Sequence, residues 1–328
     1  MRPLLLHYYI TNRCNSRCSF CEIWRETPKS DARTGDVLAN LRDAKKAGCR
    51  FVDFTGGEPL LHPELPRFLS EAKALGFITS MTTNCILFKD RAASLAGLID
   101  LLHFSLDADT PALHDEIRGA KSFAHVLESV PLALANGLVP DLLFTYTDNT
   151  INAFKGVHEL ARKNKLMAIL DPVFNVEGPD LVSPFTHEKA MALAKLPGVY
   201  LNKAHLALRK RGGNKARNPV CKAVASTIVL LPDNRLALPC FHGAAVRLPI
   251  NGGLIGALSG PDRREALAMQ GRYPMCEGCH INCYFDPSYQ RSISGLFIQS
   301  TRAKARYAFT KYVLYKRPLP RLAAREVY

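Results

Sequence analysis

The chain has 328 residues, which is enough to bury the core of one large domain and a small one. Its 43 basic residues exceed its 29 acidic ones, giving a net charge of +14, and no apolar run is long enough to cross a membrane. Ten cysteines follow a start, Met1-Arg2-Pro3, that does not resemble a signal peptide. We therefore expect a cytoplasmic protein whose cysteines bind metal rather than form disulfides.

Strand-like and helix-like patterns alternate along the first 197 residues. Strands are predicted near 4–10, 50–54, 77–82, 100–106, 139–146 and 166–174. Helices are predicted near 34–48, 63–75, 89–97, 110–136 with a break at Gly119, 152–164 and 186–196. Six strand–helix units in succession predict an α/β fold with a parallel sheet, because each connection is too long for a hairpin. The pattern alone leaves open whether the sheet closes.

Three cysteines within eight residues follow the first predicted strand: Cys14, Cys18 and Cys21, with the spacing CxxxCxxC. Thiolates on one short loop select an iron–sulfur cluster or zinc. Three ligands leave one metal position open, which is where chemistry can occur. A structural zinc site would need a fourth ligand, for which only His7 is close in sequence, and a disulfide would need an oxidising compartment.

Further loops of distinctive composition follow the next three strands. They contain Gly56-Gly57-Glu58-Pro59 after strand two, Asn84 after strand three, and Ser105 and Asp107 at the end of strand four. Together with the cysteine triplet, in which aromatic Phe20 precedes the third cysteine, these segments resemble the radical S-adenosylmethionine (SAM) superfamily over residues 4–285. Cys85 and Ala108 stand where glycine is usual in that family.

The resemblance implies a partial (βα)6 TIM-like barrel with its site at the carboxyl ends of the strands. It implies that Cys14, Cys18 and Cys21 bind a 4Fe–4S cluster whose fourth iron binds SAM. Glu58 would accept a hydrogen bond from the SAM amino group, and the loop glycines would allow the backbone to approach SAM closely. The expected SAM-binding residues are Gly56, Gly57, Glu58, Pro59, Asn84, Ser105 and Asp107.

A second set of cysteines lies beyond residue 197, where the regular alternation stops. It consists of Cys221, Cys240, Cys276, Cys279 and Cys283. A strand over 226–231, a turn over 232–234 and another strand predict a hairpin that ends at Cys240. The region resembles the SPASM or twitch extension of radical SAM enzymes. That resemblance implies auxiliary 4Fe–4S clusters, and because full SPASM modules use more than five cysteines to hold two, we expect a single cluster and one spare thiol. A zinc ribbon is the alternative, and His280 is a ligand or a loop residue.

The predicted domains are a radical SAM barrel over 1–197, an auxiliary cluster domain over 198–285 and a basic aromatic tail over 286–328. Residues 301–328 contain eight basic residues and one acidic residue, and residues 203–217 contain six basic residues and no acidic one. The tail pattern fits a helix on an anionic membrane surface, or a helix docked on the barrel. Nucleic acid is disfavoured as a partner because no recognisable binding module accompanies the charge.

The resemblance implies an oxidoreductase-type radical SAM enzyme. Such an enzyme reductively cleaves SAM to a 5′-deoxyadenosyl radical, which abstracts hydrogen from an unactivated carbon, and a flavodoxin or ferredoxin supplies the electron. We expect a small or tetrapyrrole-type substrate. The start HYYITNRCNSRC is similar to the radical SAM enzyme that oxidises a ring methyl group of bacteriochlorophyllide c, and His205 or His242 would then bind magnesium. The alternatives are a peptide maturase and a non-catalytic, nucleic-acid-binding metal scaffold.

Overall fold

The computed structural model describes residues 2–175, 178 and 180–320. Within these ranges one sheet contains ten strands, in the order β10-β9-β8-β1-β2-β3-β4-β5-β6-β7. The strands are β1 Leu5–Thr11, β2 Phe51–Gly56, β3 Ile78–Thr83, β4 Leu101–Ser105, β5 Pro140–Tyr146, β6 Ala168–Pro172, β7 Val199–Tyr200, β8 Thr227–Leu230, β9 Arg235–Leu238 and β10 Val246–Pro249. All neighbours from β8 through β1 to β7 pair in parallel, and β9 and β10 add an antiparallel end.

Helices follow each of the first six strands, as the alternation predicts. The α-helices of the described residues are α1 Thr34–Ala47, α2 Leu65–Ala74, α3 Phe88–Leu95, α4 Pro111–Arg118, α5 Phe123–Ala135, α6 Phe154–Lys163, α7 Pro184–Leu193, α8 Lys203–Lys210, α9 Ala223–Ser226, α10 Leu254–Ser259, α11 Pro261–Met269, α12 Asn282–Tyr289 and α13 Gly295–Ala308. The break predicted at Gly119 is confirmed. This residue ends α4 with φ of 56°, a left-handed conformation that favours glycine. The α/β class and the parallel sheet are also confirmed.

Side chains alternate between the two faces of the barrel strands. Those on the outer face, such as Leu6, Val52 and Phe104, are fully buried against the helices and form the main core. Those on the inner face carry many polar groups. His7 pairs in register with Asp53, and Asp53 with Ser80. The barrel interior is therefore polar, while the layer between the sheet and the helices is apolar.

The hairpin predicted before Cys240 is confirmed, and it is part of the barrel sheet. Strand β8 pairs with β1, and β9 returns antiparallel to β8. The turn contains Asn234 with φ of 58°, and the Asn40 side chain of α1 donates a 2.9 Å hydrogen bond to it. Because the sheet is continuous from β10 to β7, it crosses the proposed boundary between residues 197 and 198.

The basic aromatic tail docks on the barrel. Helix α13 continues as a π-helix over Phe309–Leu314, and the buried Lys311 ammonium lies 2.7 Å from the buried Asp141 carboxylate. The Tyr307 hydroxyl donates to the same carboxylate. This packing follows the docked alternative and gives no support to a lipid-bound helix. Arg321 and Arg325 of the tail lie outside the described residues, and no described helix is both long and apolar enough to cross a membrane.

Candidate functional site

The loop that follows β1 brings the thiols of Cys14, Cys18 and Cys21 close together. The side chain of Cys18 is buried, and the charges of Cys18 and Cys21 both raise the pKa of Cys14. Burial raises the pKa of Cys14 to about 11, and burial also raises the pKa of Cys21. Thiols that resist ionisation when alone become thiolates when a metal cluster supplies positive charge. The donor set therefore fits an iron–sulfur cluster.

Arg118, which the sequence analysis did not identify as a site residue, connects this loop to β4. Its guanidinium is buried, forms a 2.5 Å ion pair with Asp107 and lies 3.7 Å from the Cys18 sulfur. It also lies 5.5 Å from the ring of Phe20. Asp107, expected to contact SAM, is fully buried and also accepts a 2.8 Å bond from the Thr145 amide. Its described contacts thus serve to hold Arg118 beside the first cysteine loop.

The loop Gly56-Gly57-Glu58-Pro59 packs directly on the cysteine loop. An added Cβ at Gly56 would lie 1.9 Å from the Thr11 carbonyl oxygen, and one at Gly57 would lie 2.0 Å from the Arg13 carbonyl oxygen. The amides of Gly57 and Glu58 donate to these same carbonyls, at 2.9 and 2.8 Å. The two glycines are therefore required first by contact between the loops, in addition to any approach of SAM.

Glu58 and Asn84 form hydrogen bonds that connect the ends of β2 and β3 with the neighbouring rim loops. The Glu58 carboxylate is buried and accepts hydrogen bonds from the Leu60 amide, the Thr83 hydroxyl and the Asn84 amide, at 3.1, 2.8 and 2.9 Å. Burial raises its pKa. The Asn84 side chain donates to Asn15 and Ser16 of the cysteine loop, at 2.7 and 2.9 Å. These residues thus brace the rim of the barrel.

Three further residues lie at or just after the ends of β2, β3 and β4. Pro59 begins a single 3₁₀ turn after Glu58. Ser105 is buried at the end of β4. Cys85, which replaces the usual glycine, has φ of 69°, the backbone conformation that favours glycine at this position. The sequence departure is therefore accommodated with strain in the backbone rather than with a different loop path.

Four of the five late cysteines come together at a second site. The charges of Cys240, Cys276 and Cys279 all raise the pKa of Cys221, and these three residues line a cavity of about 200 Å³. Burial raises the pKa of Cys240 to about 12 and that of Cys279 to about 11. In the described chain no group of three or more His, Cys, Asp or Glu converges as a single metal ion requires. A cubane cluster offers a separate iron to each thiolate, so four thiols near one another can hold one.

Cys283 lies apart from these four thiols. It lines a cavity inside the barrel, next to Asp171 and Asp53, and retains accessible surface there. Burial raises its pKa to about 12, and the charges of Asp171 and Asp53 raise it further than Cys240 does. The helix α12, which begins at Asn282, turns this side chain towards the barrel strands.

The three histidines considered from the sequence have distinct surroundings. Both ring nitrogens of His280 have partners, the Gly278 carbonyl at 3.1 Å and the Asn175 amide at 3.4 Å. His205 is buried in α8 beside Phe285 and lines none of the described cavities. His242 lines the second cysteine site, and its ring meets those of Phe174 and Phe241 edge to face. Of the three, His242 alone faces open space in the described chain.

The cavity inside the barrel has a volume of about 600 Å³. Its wall includes inner-face side chains of β1 to β6 together with side chains of α12 and α13. The polar lining groups are His7, Asp53, Ser80, Thr82, His103, Asp171, Tyr200, Asn202, Asn282, Cys283, Asp286, Gln290 and Lys304. This volume suits a small molecule, and the convergence of polar groups on a concave site is typical of a ligand pocket.

A barrel rim with three thiols on one strand-end loop, braced by a glycine-rich loop on the next strand, defines an iron–sulfur barrel that binds SAM. Residues 8–161 match the family model described as the Radical SAM superfamily, and the chain carries a radical SAM domain. Domains of this family bind a 4Fe–4S cluster and SAM, which agrees with the donor set at the rim.

Curated relatives are similar to this chain over part of their length. A protein of Saccharolobus solfataricus named "Probable GTP 3',8-cyclase" is 38% identical over 144 residues, which are 42% of this chain and 46% of that one. A protein of the same name from Sulfolobus acidocaldarius is 34% identical over 158 residues, 47% and 50% of the two chains. The chain therefore matches about half the length of these relatives.

Solved structures are similar over most of the chain. Streptococcus suis SuiB bound to S-adenosylmethionine has a TM-score of 0.66 at 18% identity, covering 90% of this chain and 76% of that chain. The enzyme anSMEcpe, crystallised with AdoMet and a peptide, has a TM-score of 0.61 at 16% identity, covering 96% and 99% of the two chains. At these identities the likeness establishes the fold, including the region of the second cysteine set.

Proposed function

We propose that this protein is a radical SAM enzyme that abstracts hydrogen from an unactivated carbon of a small substrate. The observation that supports the proposal is the convergence, on one rim, of the Cys14–Cys21 loop and the Gly56–Pro59 loop through direct backbone contact. Reductive cleavage of SAM at the cluster supplies a 5′-deoxyadenosyl radical, and an external donor such as a flavodoxin or ferredoxin supplies the electron. The chain itself positions the substrate and excludes water.

The rim residues divide into two roles in this proposal. Cys14, Cys18 and Cys21 hold the cluster, and Arg118 donates to the sulfur of Cys18. The backbone and side chains of the strand-end loops hold SAM, with Asp107 acting through Arg118. The proposed SAM-binding residues remain Gly56, Gly57, Glu58, Pro59, Asn84, Ser105 and Asp107. The Oε2 oxygen of Glu58, which accepts the Asn84 amide, retains a lone pair that can accept a bond from the SAM amino group, whereas Oε1 already accepts from Leu60 and Thr83.

We further propose that Cys221, Cys240, Cys276 and Cys279 hold one auxiliary 4Fe–4S cluster and that Cys283 is the spare thiol. The mutual proximity of the four, and the position of Cys283 in the barrel cavity, support this division. A cluster with four protein ligands has no open iron position. Its role is therefore electron transfer or structural support rather than direct binding of substrate.

The substrate enters the 600 Å³ barrel cavity in this proposal. That volume favours a small metabolite, and the wall combines carboxylates and imidazoles with a larger apolar surface. A bacteriochlorophyllide, the tetrapyrrole-type substrate expected above, would have to place its macrocycle against His242 at the second cysteine site. The unpartnered imidazole and its aromatic neighbours are the features that would receive it.

A peptide substrate is the second candidate, and two observations favour it. The fold is similar to that of SuiB, one structure of which is described as bound to the precursor peptide SuiA, at a TM-score of 0.67 and 17% identity. The edge strand β10 presents largely exposed residues, among them Val246, that could pair with an extended peptide. The contact between the two rim loops disfavours the third hypothesis, a scaffold without catalytic activity.

Anaerobic reconstitution with iron and sulfide, followed by reduction with dithionite in the presence of SAM, tests the proposal. We expect about eight irons per chain, as two 4Fe–4S clusters require, and formation of 5′-deoxyadenosine. Cys49→Ala is the matched control, because Cys49 is buried in the main core away from both sites. Zinc, or iron without 5′-deoxyadenosine, would contradict the proposal.

A further inference from the structure

One carboxylate on the wall of the barrel cavity has no cationic partner. Asp53 lies 3.1 Å from His7, and Asp286 lies 2.7 Å from Lys304. Asp171, at the end of β6, makes no ion pair among the described residues, and its hydrogen-bond partner is the Asn282 amide. The wall thus contains two carboxylates that contact a histidine or lysine nitrogen and one, Asp171, that makes no ion pair among the described residues.

The guanidinium of Arg209 acts on Asp171 through its charge, but its described hydrogen bonds go to other groups and its Nη1 has no described partner. Arg209 donates to Asp180 through Nε at 2.7 Å and to the Val173 carbonyl, also at 2.7 Å. It lies close enough to lower the pKa of Asp171, but burial has the larger effect and raises that pKa to about 6. A buried carboxylate with a raised pKa lowers the stability of the folded chain when it is ionised. Such a destabilising group is typical of residues that are kept for function.

Two groups on the wall beside Asp171 have buried acceptor atoms without a described hydrogen-bond donor. The Asn282 side chain directs its amide to Asp171, and its oxygen Oδ1 is buried with no partner among the described residues. The imidazole of His7 faces the Asp53 carboxylate with Nδ1, which therefore carries the proton, and its buried Nε2 has no described partner. A ligand that fits this surrounding must donate hydrogen bonds.

We propose that Asp171 binds a protonated amino group of the substrate, so that the barrel cavity selects ammonium-bearing molecules. An ammonium group combines positive charge with several donors, which matches an unpaired carboxylate beside unsatisfied acceptors. The inference rests on the proposed function, since it takes the cavity as the substrate site. A free amine and a lysine side chain of a peptide share this chemistry.

Three probes of one shape test the charge preference on the reconstituted protein. They are tryptamine, neutral 3-ethylindole and anionic indole-3-propionate, with binding measured by ligand-observed NMR. We expect tryptamine to bind about ten-fold more tightly than 3-ethylindole, as a charged hydrogen bond predicts, and indole-3-propionate to bind least. Nα-acetyl-lysine N-methylamide is a fourth probe, and tighter binding of it than of tryptamine would assign the amine to a peptide.

Asp171→Asn removes the charge and keeps the shape, so the preference for tryptamine should disappear. Asp286→Asn is the matched control, because Asp286 lines the same cavity but is already paired with Lys304. The preference should survive in that variant. Should Asp171→Asn fail to fold, Asp171→Ser replaces it. Equal binding of the three probes, no binding of tryptamine at millimolar concentration, or a preference that persists without Asp171 would overturn the inference.

Failure of this inference and failure of the proposed function have different signatures. Formation of 5′-deoxyadenosine by the wild-type protein without any probe tests the rim chemistry alone. Selective tryptamine binding without 5′-deoxyadenosine would support the cavity inference and contradict the proposed function. Formation of 5′-deoxyadenosine without amine selectivity would overturn the inference and leave the proposed function standing.

Discussion

The two cysteine sites reach their geometry by opposite routes. At the first site three thiols come from one loop of eight residues, and a buried guanidinium lies beside one sulfur. At the second site four thiols come from separate segments between Cys221 and Cys279. The described hydrogen bonds to the second-site sulfurs come from backbone amides, such as that of Gly243 at 3.4 Å from Cys240. The geometry of the first site therefore follows from the local sequence, and a nearby positive charge tunes its properties. The geometry of the second site depends on how the fold brings separate segments together.

The largest effect is expected from Cys18→Ala. This change removes one of three cluster ligands and the sulfur that Arg118 contacts, so SAM cleavage should be abolished and about four irons lost per chain. Metal analysis and 5′-deoxyadenosine assay of the reconstituted variant measure both. Retained cleavage would show that the local loop does not hold the active cluster.

Replacing Cys279 sharpens the comparison at the second site. Cys279→Ala should lose about four irons and substrate turnover but keep uncoupled SAM cleavage, because the first loop is unaffected. Cys283→Ala provides the contrast, since its thiol lies in the barrel cavity. That variant should keep about eight irons. Equal iron loss in both variants would place Cys283 among the ligands.

Removal of the buried guanidinium tests whether charge tunes the first cluster. Arg118→Gln leaves the buried Asp107 carboxylate without its ion-pair partner, so the free energy of unfolding should fall by about 3–5 kcal/mol. Loss of positive charge near the Cys18 sulfur should also lower the reduction potential and slow SAM cleavage by about ten-fold.

A redox titration monitored by EPR measures this potential. Working in a Cys279→Ala background leaves one cluster to titrate. Arg17→Gln is the control, because the exposed Arg17 side chain belongs to the same loop and contacts α4 through its backbone amide. An unchanged reduction potential in the Arg118 variant would show that this guanidinium does not tune the first cluster. The two sites would then not differ in this electrostatic respect.

The smallest effect concerns the pH dependence of folding stability that arises from Asp171, which lines the barrel cavity beside Cys283. Burial raises the pKa of Asp171 to about 6, so the folded chain binds this proton more tightly than the unfolded chain does. The stability contribution is therefore fully present below about pH 4 and is lost as the pH rises through 6. Arg209, Asp286 and Cys283 are the titratable groups that act on or lie beside this carboxylate.

Asp171→Asn should consequently raise the free energy of unfolding by up to about 3 kcal/mol at pH 8 and leave it unchanged at pH 4. Denaturant unfolding of wild type and variant at the two pH values measures the difference. A variant that is less stable at pH 8 would mean that the carboxylate is stabilised by contacts other than those described.

Sequence by itself determined the strand–helix alternation, the cysteine loop and the loops that end β2, β3 and β4. These features are local, because side-chain periodicity and ligand spacing on one loop depend on neighbouring residues. Gly119 shows the same for a helix end, since its left-handed conformation follows from the residue type. The spacing around Cys276 likewise indicated a metal site.

Only the tertiary structure decided which late cysteine stands apart, that Arg118 reaches Cys18, and that Asp171 faces the cavity unpaired. It also decided that Lys311 of the tail pairs with Asp141 rather than facing solvent or lipid. Each of these depends on contacts between segments far apart in the sequence, by 100 residues for Arg118 with Cys18 and by 170 for Lys311 with Asp141. Such contacts set the burial and pairing of charges, which residue type and spacing do not specify.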